Sequence, residues 1–139
     1  MSGMGSLVLT VAHSDDLRDR FEALAEVVEP GAEWSTGDRH VVDVHLVFGD
    51  MVPGLTGLAC DVNCRDNPPH ATWLSDPYIT FSASGGFDET TGIDRLNALS
   101  TWVTSVAGPI SVLQAGIASA DGEVVLRPTE SGWNVVNRF

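Results

Sequence analysis

Apolar and polar positions alternate along much of this chain, and in two stretches the alternation gives way to a helical repeat. Residues 7–12 (LVLTVA) are almost continuously apolar and rich in β-formers, the pattern of a strand central in its sheet. Ser14 then stands as a helix N-cap, with Asp15 and Asp16 in the first turn, where the helix dipole favours them. Leu17, Phe21, Leu24 and Val28 recur at helical spacing, and Pro30-Gly31 stops the run. The spacing predicts a helix over residues 15–29. Residues 39–48 alternate: Val42, Val44, Leu46 and Phe48 share one face, while Val41, Asp43, His45 and Val47 share a part-solvated one. Further strands are predicted at 58–64 and 78–83, the latter setting Ile79, Phe81 and Ala83 against Tyr78, Thr80 and Ser82. Between them, Pro68-Pro69 removes donors and excludes regular structure.

Ile93, Leu96, Leu99, Val103 and Val106 mark a second helix, with Thr91 as its expected cap and Gly108-Pro109 as its stop. Strands are then predicted at 110–117, 124–127 and 133–139, with Asp121-Gly122 as a hairpin signal. The order is approximately β-α-β-β-β-β-α-β-β-β. Helices separated by groups of strands argue for α+β: a single compact domain, a mainly antiparallel sheet covered by two helices. The small residues 1–6 read as a flexible N-terminus, followed by one domain over 7–139.

Composition narrows the function classes. Of the 139 residues, 19 are acidic and 7 basic, all arginine, for a net charge of −12. No basic stripe exists to neutralise phosphates, so nucleic acid is excluded as a partner, and anionic membrane surfaces are disfavoured. No apolar run approaches the roughly 20 residues of a membrane span. The early apolar segment is too short for a signal peptide, so a cytoplasmic location is expected.

Two segments combine residue types that bear chemistry. The run LVLTVAHSDD, residues 7–16, resembles the strand-then-His-Pro-Asp-Asp-Glu signature of the zinc-dependent N-acetylglucosaminyl deacetylase family. Ser14 stands in place of that proline and Leu17 in place of the glutamate. The resemblance implies His13 and Asp16 as metal ligands and Asp15 as catalytic base. The second segment holds Cys60, Asp61, Cys64, Asp66 and His70. Here Cys60, Cys64 and His70 form a candidate metal set, although zinc sites usually carry a second ligand pair. If 58–64 is a strand, the two cysteines lie about 13 Å apart on one face. A disulfide spans less than about 7 Å, so both are expected as reduced, buried thiols.

The acidic balance points instead to protein recognition. A strong negative field speeds capture of a basic partner, and exposed tryptophan is a preferred interface anchor. Candidate contact residues are therefore Trp34, Trp73, Asp15, Asp16, Asp19, Glu26, Glu29 and Glu33. The leading expectation is a non-enzymatic, acidic protein-binding module. It would act in the manner of an immunity or inhibitor protein that neutralises a basic toxin or nuclease, with no cofactor. The alternative is a small metal-dependent hydrolase built on His13, Asp15 and Asp16.

Overall fold

A computed structural model describes residues 4–28, 44–63, 78–120 and 122–139. In chain order the elements are β1 (Met4–Ala12), α1 (Asp15–Val28), β2 (Val44–Gly49), β3 (Thr56–Asn63), β4 (Tyr78–Gly86), α2 (Glu89–Ala107), β5 (Val112–Ser119), β6 (Gly122–Thr129) and β7 (Gly132–Arg138). The strands form one sheet in the order β2-β3-β4-β1-β5-β6-β7. Every neighbouring pair is antiparallel. This is the expected α+β class, and β1 is the central strand, as its apolar run predicts. Each helix leads into a three-stranded meander, and β1 joins the two meanders edge to edge.

Three boundaries differ from expectation. Among the described residues three strands lie between the helices, at the three places where the alternation locates them, whereas the predicted order carries four. The segment after β2 is a turn in which the Leu55 N–H donates to the Val52 carbonyl, and both side chains plug the core. β1 begins at Met4, because Met4, Gly5 and Ser6 pair with Gly86, Gly85 and Ser84 of β4. Gly5 is required there: a Cβ would sit 2.4 Å from the Phe87 ring. Thr91 is not the N-cap of α2. Asp88 fills that role, its carboxylate accepting the Thr91 N–H at 2.9 Å while the Thr91 hydroxyl accepts the Asp88 N–H at 3.2 Å. This is a capping box, with threonine at its third position.

Both helices cover the same face of the sheet. Leu7, Leu9 and Val11 on β1 point to that face, with Phe81 and Ile79 beside them on β4 and Ala115 and Ile117 on β5. Leu46, Phe48 and Cys60 extend the layer to one side, and Val124 and Leu126 to the other. Leu17, Phe21 and Ala25 of α1 and Leu96, Leu99 and Val103 of α2 close it from above. At the helix crossing, the Phe21 ring packs against Phe48, Phe81 and Trp102, with centroids 4.8–5.8 Å apart. Trp133 of β7 ties the far edge to α2, donating from its indole to the Asn97 side chain at 2.8 Å. No helix among the described residues is long and apolar enough to cross a membrane.

Candidate protein-binding surfaces

The first helix presents carboxylates because its other side is committed to the core. The Ser14 hydroxyl accepts the Leu17 N–H at 3.0 Å, so the helix starts where the sequence predicts. With Leu17, Phe21 and Ala25 turned inward, Asp15, Asp16, Asp19 and Glu26 stand exposed. Arg20 pairs with Asp16 at 3.0 Å and Arg18 with Glu22 at 3.1 Å, both one turn apart. Pairs of this kind, one turn apart on a helix and open to solvent in whole or part, contribute only about 0.3–0.5 kcal/mol each. Five carboxylates against two guanidinium groups leave the helix net negative. The other expected contact residues, Glu29, Glu33, Trp34 and Trp73, lie outside the described residues.

The residues of the deacetylase-like run do not converge. His13 sits half-buried at the junction of β1 and α1, its Nε2 buried without a hydrogen-bond partner. Asp15 is exposed, and the Asp16 carboxylate is engaged by Arg20. Among the described residues no group of three or more histidine, cysteine and acidic side chains is placed to hold a metal ion. His13 and Asp16 therefore gain no third ligand there.

Cys60 is a core residue. It pairs across the sheet with Leu46 and Phe81 on the helix-covered face and is fully buried, with its thiol free. Burial pushes that thiol well above its ordinary pKa, and the charges of Asp61 and Glu22 push it further. It is a neutral, apolar-behaving side chain. Its neighbour Asp61 turns to the opposite face. Cys64 and His70, the rest of that candidate set, lie outside the described residues.

The opposite face of the sheet is a surface that reading the sequence missed. Among the described elements, no helix packs on it. Register aligns one row across six strands: Val47, Ala59, Ser82, Val8, Gly116 and Val125. None is charged. Val8 is 41% exposed although its neighbours Leu7 and Leu9 are at 0%. Around Gly116 the face dips into an open trough of about 230 Å³, lined by Ser6, Val8, Ala118, Glu123 and Val125. A signal was present in the predicted elements. Two helices can cover one face of a wide sheet, so the alternate residues of each strand must meet something else.

Compared with known proteins, the chain matches no family model, no curated protein and no solved structure.

Proposed function

We propose that this chain is a non-enzymatic, cytoplasmic binding module that docks a basic protein and neutralises it, as an immunity or inhibitor protein does. The observation that supports this reading most is the exposed acidic face of α1, within a chain of net charge −12. Its carboxylates are held on a helix whose inner side is anchored by three buried residues, so the field has a fixed origin. A preorganised negative face of this kind steers a basic partner and raises its association rate by about 10–1000-fold. It also discourages acidic competitors.

The test begins with the tagged full chain as bait in source lysate at low salt, with mass spectrometry to identify what is retained. Association of the purified pair is then followed at 0.01 M and 0.15 M salt. The Debye length falls from about 30 Å to about 8 Å over that interval. The expected result is a basic partner whose on-rate drops at least tenfold while its off-rate changes little. Replacing Asp15, Asp16 and Asp19 by asparagine should slow association without unfolding the protein, because loss of the Arg20 pair and of the dipole contacts costs about 1–2 kcal/mol in total. An acidic partner, or an on-rate indifferent to salt, refutes the reading.

A further inference from the structure

We propose that the trough on the sheet face opposite the helices receives an arginine or lysine side chain of the partner, its aliphatic stem between Val8 and Val125 and its charged head at Glu123. This inference rests on the basic-partner reading and names the place where one partner side chain enters.

The trough follows from register. Val8 pairs with Gly116, and Gly116 pairs with Val125, so two valines flank a residue that has no side chain. The flanking strands β1 and β6 are two strand spacings apart, about 9–10 Å. One step along the strands, Ser6, Ala118 and Glu123 form the next row. Small residues therefore make the floor, valines make the walls and a single carboxylate stands at one end. Glu123 is exposed, and none of the described arginines pairs with it.

Charge decides the occupant. A neutral apolar side chain would fill the trough but make no use of Glu123, which stays exposed to water. An acidic one would meet Glu123 and the net field of the chain in repulsion. A long side chain with methylene groups behind a cationic head satisfies both parts, burying its stem and pairing its tip. The direction is also set. Glu123, Val125 and Arg127 alternate along β6 with the buried Val124 and Leu126, so Arg127 stands beyond Val125 at the other end. A cationic head is repelled there and turns toward Glu123.

Gly116 provides a clean test. A Cβ added to it meets only the Val124 carbonyl oxygen, at 3.8 Å, an ordinary contact. Its backbone is not in the left-handed region. Gly116→Leu therefore fills the trough from its floor without changing the charge. The experiment titrates isotope-labelled full chain with hexa-arginine peptide and, separately, hexa-glutamate peptide, reading amide and methyl shifts by NMR. The expected result is saturable shifts at Val8, Gly116, Ala118 and Val125 with hexa-arginine alone. Both Gly116→Leu and Glu123→Gln should weaken that binding at least tenfold, with melting temperatures kept within a few degrees. The conservative Glu123→Gln keeps the test decisive should the leucine disturb the fold. Shifts confined to α1, with both variants binding as the parent does, overturn the trough and leave the acidic-docking reading standing. Saturable binding of hexa-glutamate in the trough overturns both. Absence of saturable shifts at the trough overturns this proposal.

Discussion

Truncating Phe21 to alanine should be among the most damaging single changes in this protein, while truncating Val27 on the same helix should do almost nothing. Phe21 is fully buried and its ring centroid lies 5.8 Å from Phe48, 4.8 Å from Phe81 and 5.2 Å from Trp102. Phe→Ala in a packed core costs about 3–5 kcal/mol, from lost burial plus the cavity left behind. Aromatic pairs contribute about 0.5–1.5 kcal/mol each beyond burial, which places this site in the upper part of that range. Alanine's better helix propensity returns only about 0.5 kcal/mol. The net expectation is a loss of about 4 kcal/mol, a large fraction of the 5–15 kcal/mol typical of a folded domain. At about 4 °C per kcal/mol for a chain of this size, the melting temperature should fall by about 15 °C. Val27 is 75% exposed, so Val27→Ala should change stability by less than about 0.5 kcal/mol, with propensity tipping it toward stabilisation. Urea unfolding followed by far-UV circular dichroism measures both. Near-UV dichroism adds a local readout, since Trp102 loses a ring partner. A Phe21→Ala cost below about 1.5 kcal/mol, or a Val27→Ala cost equal to it, would show that α1 does not pack on the sheet in this orientation.

Three further outcomes are expected. Ser14→Ala should cost about 1 kcal/mol in urea unfolding, and Ser14→Asp should cost little, because either oxygen can accept the Leu17 N–H; a silent Ser14→Ala would remove Ser14 as the cap. The hydrogen bonds from the Thr91 side chain and backbone hold the Asp88 carboxyl below its ordinary value of 3.8. A depressed folded pKa gives stability that is present above the unfolded pKa and lost as pH falls through the folded one. The stability difference between the parent and Asp88→Asn should therefore shrink as pH drops below about 4; a difference that stays flat between pH 7 and pH 2 would contradict a carboxyl held charged by the cap, since asparagine caps equally well. Cys60 is buried with its thiol held protonated, so peptide mapping after iodoacetamide treatment at pH 8 should find it unmodified in the native protein and alkylated in guanidinium. Rapid native alkylation assigned by fragmentation to Cys60 itself, and not to Cys64 on the same peptide, would place it outside the core.

Much of the fold was legible in the chain because its elements have local causes. The α1 start needs only Ser14 and the spacing of Leu17 and Phe21, and it appears where they predict. The alternation of Ile79, Phe81 and Ala83 correctly named the buried face of β4. Caps and strand ends were less legible. Thr91 and Asp88 both suit an N-cap, and the choice between them lies in backbone geometry. Met4–Ser6 hold no apolar run, yet they extend β1 because Gly5 lets Phe87 lie against the strand and β4 supplies partners.

The candidate surfaces divide along the same line. That the protein is acidic, and that Asp15, Asp16, Asp19 and Glu26 leave the core stripe of α1, follows from sequence alone, since a helix of known phase sorts its residues by position. The role of Cys60 could not be separated from metal binding by spacing, because a strand's alternation says that residues share a face without saying which face is covered. The tertiary structure decides that by placing both helices on one side. The same decision sets Val8, Gly116 and Val125 on the face opposite the helices and aligns them in one row. Those residues stand more than a hundred positions apart at the extremes, and only strand order and register bring them together. A period of two can specify each strand's two faces, but coverage of a face is a relation among distant elements.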